Sequence, residues 1–114
     1  MVKHVPNQRS VMDQVLKALA DGTRRELVER LVAGPASVGE LAAPLAMSLP
    51  AVMQHLQVLE AAGLVRSEKV GRVRTCHLEP AGLRTIEDWL GRQRTDWEQH
   101  LDALGDLLEK GESS

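Results

Sequence analysis

Hydrophobic residues recur at three- and four-residue intervals along much of the chain, which is the spacing that places them on one face of an α-helix. Residues 10–20 show this spacing and predict a first helix. Asp21 is a suitable N-cap for a second helix that continues to about Ala33, and Gly34-Pro35 ends it. The residues predicted to face inward are Val11, Val15, Leu16 and Leu19 in the first helix, and Leu27, Val28, Leu31 and Val32 in the second.

Two shorter helices are predicted next. Ser37 and Glu40 have the spacing of a capping box, in which each side chain binds a free amide at the start of a helix. Pro44 limits this third helix to about two turns. Ser48 is predicted to cap a fourth helix, whose first turn tolerates Pro50 because the amides there have no acceptor within the helix. Two short helices joined by a tight turn have the layout of a helix-turn-helix.

The fourth predicted helix has a buried face and an outward face. Val52, Leu56 and Leu59 share the face that must turn inward, because they are spaced at i, i+4 and i+7. The outward arc is therefore also defined. It carries Pro50, Ala51, Gln54, Gln57 and Val58, with His55 on its flank.

The segment after Gly63 predicts a β-hairpin. Side chains alternate in Leu64-Val65-Arg66 and in residues 73–78, and Val70-Gly71-Arg72 supplies the turn. A hairpin that follows a helix-turn-helix forms a wing. The predicted fold is therefore mainly α with a two-stranded β-hairpin wing and about five helices, which is a winged helix-turn-helix.

This layout points to DNA, because the second helix of a helix-turn-helix lies in the major groove. The amides of Gln54 and Gln57 can pair bidentately with the edge of adenine, and His55 is expected to make either a phosphate contact or an internal hydrogen bond. Arg72 and Arg74 suit a narrow minor groove or a phosphate, the alternative being a solvated basic turn. The predicted DNA-binding residues are Ser48, Pro50, Ala51, Gln54, His55, Gln57, Arg72 and Arg74.

A last helix is predicted over residues 80–110, and it carries a long apolar stripe. The stripe begins at Leu83 and continues to Leu108, with Gln93 as a polar interruption. This is more apolar surface than one small domain covers, so a partner helix is expected, although packing within the monomer is the alternative. The predicted homodimer interface consists of Val11, Val15, Leu90, Trp97, Leu101, Leu104 and Leu108.

Composition and charge fit this architecture. The chain has 114 residues, of which 43% are hydrophobic, so we expect one domain over residues 1–114, with residues 10–78 as the DNA-binding core and residues 80–110 as the dimerisation helix. The formal net charge is −2. However, residues 66–78 carry four basic residues against Glu68, whereas residues 79–114 are acidic. A basic hairpin can attract DNA while an acidic segment is held away from it.

Other classes of protein are less well supported. No nucleophile–base pair and no glycine-rich phosphate loop is recognisable, so neither enzymatic activity nor a cofactor is predicted. Residues 41–59 carry no formal charge, yet they include two prolines and several polar residues, which argues against a membrane span. A single cysteine and the lack of a recognisable secretion signal predict a cytoplasmic protein.

No metal site is predicted from the sequence. Cys76 and His77 are adjacent in a strand, so their side chains point to opposite faces. Asp96 and His100 share one face of the last helix, but no second histidine completes a four-ligand set. Cys76 is expected to be a half-buried structural residue. The alternative is a redox role, in which Arg74 on the same strand face lowers the pKa of the thiol.

These segments together resemble the small winged-helix repressors of the ArsR type. The resemblance covers nearly the whole chain. It rests on Leu19-Ala-Asp-Gly-Thr-Arg-Arg-Glu-Leu27, Ser37-Val-Gly-Glu-Leu41, Ser48-Leu-Pro-Ala-Val52, His55-Leu-Gln-Val-Leu-Glu60 and Ala62-Gly-Leu-Val-Arg66. It implies a homodimer formed by the first and last helices, which binds imperfect palindromes in promoters, represses, and often releases DNA when an effector binds.

Two departures from that pattern change the expectations. Similar sequences usually read Ser-Lys-His-Leu-Lys where this chain has Met53-Gln-His-Leu-Gln57. The recognition helix then lacks positive charge, and the hairpin with Arg24 or Arg25 is expected to make most phosphate contacts, with a shallow salt dependence. The third helix also lacks the Cys-x-Cys motif of metal-sensing relatives, so any effector is unknown. The alternative function is a protein-interaction module with weak or no DNA binding.

Overall fold

The computed structural model describes residues 8–112, which form five helices and three short strands. The helices are α1 (Gln8–Leu19), α2 (Gly22–Val32), α3 (Val38–Ala42), α4 (Leu49–Ala61) and α5 (Pro80–Glu112). The strands are β1 (Ala36–Ser37), β2 (Val65–Val70) and β3 (Val73–Leu78). The predicted winged helix-turn-helix is confirmed, with α3 and α4 as its helix pair and β2 and β3 as its wing.

Side-chain caps fix the starts of three helices where the sequence predicts them. Asp21 accepts a hydrogen bond from the backbone N–H of Arg24 at 3.0 Å, at the start of α2. Ser37 and Glu40 form both halves of the capping box of α3. The hydroxyl of Ser48 accepts from the N–H of Ala51 at 3.3 Å, which starts α4. Each cap satisfies an amide that lacks an acceptor within its helix.

Helix α4 ends in a Schellman motif around Gly63. The N–H of Leu64 donates to the carbonyl of Leu59 at 2.9 Å, and the N–H of Gly63 donates to that of Glu60 at 3.0 Å. Gly63 has φ of +73°, a left-handed conformation that glycine adopts without steric cost. The motif turns the chain directly from the recognition helix into the wing.

The predicted two-stranded wing is present, and a short strand that the sequence did not predict, β1, extends its sheet to three strands. Strand β3 is central and pairs antiparallel with β2 on one side and with β1 on the other. In the second pairing Ala36 lies opposite Cys76, and Ser37 lies opposite Thr75. A strand of two residues is too short to show alternation in the sequence. It matters for the site because it ties the wing to the residue that caps α3.

The core is built from apolar residues of all five helices and the sheet. Val52, Leu56 and Leu59 of α4 are buried, as predicted. Two predicted inward-facing residues are not: Val32 is 68% exposed and Leu16 is 47% exposed. Conversely, Val15 is 0% exposed within the single chain. The prediction that Val15 contributes to a dimer interface is therefore wrong, because its side chain has no accessible surface to give to a partner.

Three arginines bind the ends of helices. Arg24 donates to the carbonyls of Ala18 and Lys17 at 2.7 and 3.2 Å, and Arg25 donates to that of Leu19 at 2.8 Å, so both cap the C-terminus of α1. Arg30 donates likewise to the last carbonyls of α3. These carbonyls lack partners within their own helices. Arg24 and Arg25 are thus held by the fold, and their expected phosphate contacts stay a prediction.

Helix α5 starts in close contact with the end of α4. The N–H of Gly82 donates to the carbonyl of Gly63 at 3.0 Å. A Cβ atom at position 82 would lie 2.9 Å from the carbonyl oxygens of both Ala62 and Gly63, so no side chain fits there without a shift. The helix then runs for 33 residues, or about 50 Å. Among the described residues, no helix has the length and hydrophobicity required to cross a membrane.

Candidate nucleic-acid interface

The outward face of α4 is accessible and carries no formal charge. Gln54, Gln57 and Val58 are exposed along it, as is Pro50 at its start, and Ala51 is partly exposed. Because Val52, Leu56 and Leu59 are buried on the opposite face, this face of the helix points away from the core. Two glutamine amides and small apolar groups are thus presented together, which is a combination that can read base edges and thymine methyl groups.

His55 lies on the flank of this face, and its ring forms a hydrogen bond with Arg24 of α2. The Nη1 of Arg24 lies 3.2 Å from the Nδ1 of His55. The same guanidinium holds the C-terminal carbonyls of α1 through Nε and Nη2. His55, Arg24, Gln54 and Gln57 line a groove of about 450 Å³. Of the two predicted roles for His55, the internal hydrogen bond is present.

Asp21 provides the negative charge of this region. The pKa of its carboxyl group is lowered, chiefly because the carboxylate accepts the hydrogen bond from the backbone N–H of Arg24, and the charge of the Arg24 side chain acts in the same direction. Asp21 therefore remains ionised at neutral pH, where it caps α2.

The tip of the wing is positively charged. Gly71 and Arg72 form a two-residue turn between β2 and β3, and Gly71 has φ of +64°, which a hairpin turn of this length requires. The side chain of Arg72 is exposed and has no hydrogen bond or ion pair with any residue in 8–112. The side chain of Lys69 has the same properties, and Lys69 lies across the hairpin from Arg74. The wing therefore presents two cations that are free to bind an anion.

Arg74 is fixed rather than free. Its Nη1 donates to the hydroxyl of Ser67 at 2.9 Å, and that hydroxyl in turn donates to the carboxylate of Glu60. Glu60 belongs to the last turn of α4, so the chain of hydrogen bonds joins the recognition helix to both strands of the wing. Arg74 remains exposed, and its guanidinium retains further N–H donors.

A groove of about 550 Å³ separates the wing from the start of α4. Apolar side chains of Val38, Leu49, Met53 and Val73 line it, together with Lys69, Arg72 and Arg74. Cations beside an apolar surface match the phosphates and sugars of a nucleic-acid backbone. Lys69 was not among the residues predicted from the sequence. Its position opposite Arg74 in the hairpin was the available signal.

Cys76 is fully buried rather than half-buried. It lies on the inner face of β3, and burial raises the pKa of its thiol; the charge of Glu60 acts in the same direction, while that of Arg74 lowers the pKa. Arg74 thus acts in the expected direction, but burial outweighs it and the pKa of the thiol is raised overall. His77, on the opposite face, hydrogen-bonds Glu68 at 3.1 Å. Residues 8–112 contain no group of three or more side chains arranged to hold a metal ion.

The apolar stripe of α5 divides into two parts. Leu83 and Ile86 pack against the core, whereas the remainder of the stripe is exposed. The exposed fraction reaches 64% at Trp97 and 62% at Leu108. The other exposed members are Leu90, Leu101 and Leu104, joined by Leu107, which the sequence analysis did not include. Val11 of α1 is half-buried against the core.

Comparison with known proteins gives consistent matches. Residues 19–68 match the family model of a helix-turn-helix domain. The chain is 47% identical over 98 residues to the HTH-type transcriptional regulator Rv2034 of Mycobacterium tuberculosis, covering 82% of this chain and 92% of that protein. It is 28% identical over 79 residues to the transcriptional repressor SdpR of Bacillus subtilis, covering 69% of this chain and 88% of that protein.

Solved structures resemble the fold over most of its length. The crystal structure of the ArsR family transcriptional regulator RHA00566 matches with a TM-score of 0.75 and 42% identity, covering 86% of this chain and 97% of that chain. The homodimeric winged helix-turn-helix DNA-binding domain Mb0332 of Mycobacterium bovis matches with a TM-score of 0.58 and 27% identity, covering 89% of this chain and 94% of that chain.

Proposed function

The chain belongs to the ArsR-type winged helix-turn-helix transcriptional regulators, and on that premise we propose that it is a homodimeric repressor that binds a palindromic promoter site. In this proposal α4 enters the major groove and reads bases through Gln54 and Gln57. The wing holds the DNA backbone through Lys69, Arg72 and Arg74. Ser48, Pro50, Ala51 and His55 complete the contact surface.

The observation that carries this proposal is the position of the basic wing beside the uncharged face of α4. The groove between them contains three cations and an apolar lining. Sequence is read by contacts to base edges, while affinity comes mainly from phosphate contacts. The two tasks are here assigned to neighbouring elements that the Glu60–Ser67–Arg74 hydrogen bonds hold together.

The exposed part of α5 supports the homodimer. Large apolar side chains over residues 90–108 are uncovered in the single chain, and burying them against a second copy is favourable by about 25 cal/mol per Å² of apolar surface. A homodimer with two-fold symmetry presents two copies of α4 and therefore requires an inverted repeat. The homodimeric relative of the same fold is consistent with this arrangement.

Selection of bound sequences from a random pool of DNA duplexes tests the proposal. The purified protein is used at low and at moderate salt concentration. We expect enrichment of an inverted repeat whose half-sites are centred about one helical turn apart. Absence of any enriched sequence at either salt concentration would contradict a directly binding repressor.

A protein-interaction module is the second candidate, and the absence of cationic side chains from the outward face of α4 favours it. Replacing Arg72 with Gln distinguishes the two functions. On the repressor hypothesis this variant binds DNA more weakly while remaining a dimer. On the interaction hypothesis the variant and the unaltered protein behave alike in DNA-binding assays.

A further inference from the structure

The contact between Arg24 and His55 determines which nitrogen of the histidine carries the proton. Arginine has five N–H donors, no acceptor, and keeps its proton at all accessible pH values. Nη1 of Arg24 must therefore donate, and Nδ1 of His55, 3.2 Å away, must accept with its lone pair. A neutral imidazole whose Nδ1 accepts carries its hydrogen on Nε2.

Arg24 itself has little freedom to move. Its Nε and Nη2 donate to two carbonyls at the end of α1, and its backbone N–H is bound by Asp21. The guanidinium is therefore held at a fixed place beside α4, with His55 in front of it. Asp21 is the acidic group beside this pair, and its carboxylate already accepts the Arg24 backbone amide.

The second nitrogen of His55 is available for a ligand. Nε2 has no hydrogen-bond partner in the part of the chain that the structure describes, and the ring lines the groove shared with Arg24, Gln54 and Gln57. The groove thus presents an N–H donor with a positive charge behind it. Such a pair suits an anionic oxygen, because the charge strengthens the hydrogen bond and the donor gives it direction.

We propose that Arg24 and His55 form a phosphate-binding pair, in which Arg24 holds His55 as the Nε2–H tautomer and Nε2–H donates to a phosphate oxygen of DNA. Arg24 is the positioning residue and His55 is the residue that contacts the ligand. The inference rests on the proposed DNA-binding function. It provides a second contact with the DNA backbone, besides that of the wing, at the other flank of α4.

The tautomer can be measured without DNA. In ¹⁵N spectra of the histidine side chains, a protonated Nε2 and an unprotonated Nδ1 give distinct shifts, and loss of the signals in a His55→Gln variant assigns them among the four histidines. We expect His55 to be the Nε2–H form at neutral pH. Arg24→Met should produce a mixture of tautomers, whereas Arg25→Met, which removes a similar cap of α1, should leave the Nε2–H form unchanged.

Two substitutions of His55 test the phosphate contact. The amide of Gln reaches the place of Nε2 and can donate to DNA, while the shorter Asn reaches only the place of Nδ1. We expect His55→Gln to bind DNA within about threefold of the unaltered protein and His55→Asn to bind about tenfold more weakly. His100→Gln, on the exposed face of α5, is the matched control and should bind normally.

Four further outcomes decide between the inference and its alternatives. The loss in His55→Asn should be equal on the selected site and on random duplex, because a phosphate carries no sequence; a loss confined to the selected site would overturn the phosphate contact. The salt slope should not change, because a neutral donor releases no counterion. An Nδ1–H tautomer with normal DNA binding would overturn this inference alone, whereas no DNA binding by the unaltered protein would overturn the proposed function as well.

Discussion

The recognition helix and the wing are neighbours that differ in almost every physical respect. The outward face of α4 is neutral and is oriented by three buried side chains beneath it. The wing is basic, and the side chains of Lys69 and Arg72 have no hydrogen bond or ion pair within the described chain. On the proposed function, this difference separates two properties that are often combined on one helix: base selection is assigned to α4, and most of the electrostatic attraction to the DNA backbone is assigned to the wing.

The largest effect is expected from removing the free cations of the wing. Lys69→Ala combined with Arg72→Ala removes two charges per protomer and should weaken DNA binding about 100-fold near 0.1 M salt, with the salt slope reduced by about three to four units per dimer. Arg92→Ala with Arg94→Ala, which removes two cations from α5, is the control. Titrations over a range of salt concentration measure both quantities. Equal slopes for the two double variants would refute the division between helix and wing.

The glutamines should show the opposite behaviour. Gln54→Ala or Gln57→Ala should reduce discrimination at one base pair of each half-site by about 1–3 kcal/mol, while the salt slope stays the same. Competition between duplexes that differ at single positions measures this loss. Gln99→Ala, which alters an exposed glutamine of α5 away from the candidate interface, is the control. A change in salt slope would show that α4 contributes to backbone attraction after all.

A smaller effect is expected where the two elements are joined. Ser67→Ala removes the hydroxyl that connects Arg74 to Glu60, and no other residue in the described chain replaces it. We expect DNA affinity to fall about two- to fivefold and the free energy of unfolding to fall by about 1 kcal/mol. Thr75→Ala, at a neighbouring strand position, provides the comparison. If both variants bind DNA like the unaltered protein, the hydrogen bonds from Arg74 through Ser67 to Glu60 do not contribute to DNA affinity.

The smallest effect on DNA binding is expected for Cys76, on the buried inner face of the wing, whose replacement should instead change how stability depends on pH. The raised pKa of Cys76 means that the folded protein keeps the thiol protonated above its ordinary value of 9.0. This contribution to stability is complete below that value and is lost as pH rises through the raised pKa. Stability should therefore fall more steeply as the pH rises above about 9 in the unaltered protein than in Cys76→Ala. Chemical denaturation at several pH values measures the difference.

Most of the fold could be predicted because its signals are local. Caps at Asp21, Ser37 and Ser48 and the stripe on α4 each depend on residues a few positions apart. What failed depends on distance in the sequence: β1 needs β3 as its partner, and the burial of Val15 depends on how α1 meets the remaining elements.

The candidate site shows the same limit. The outward residues of α4 follow from the helical period, and Arg72 follows from the turn. The partner of His55 is 31 positions earlier in the chain, so no local pattern shows that Arg24 binds it. Charge counts mislead for the same reason, since they do not distinguish an arginine that caps a helix from one that is free.

The contact between Gly63 and Gly82 fixes α5 close to its N-terminus and leaves most of the helix beyond this point. At Gly82 the backbone of α5 lies so close to that of Ala62 and Gly63 that a single methyl group does not fit. From Gly82 to its C-terminal end the helix extends about 45 Å, so a tilt of only about 5° about Gly82 would displace that end by about 4 Å. In the proposed homodimer, such a tilt would change the distance between the two copies of α4. On that proposal, the close backbone contact at Gly82 helps to determine the spacing of the two half-sites.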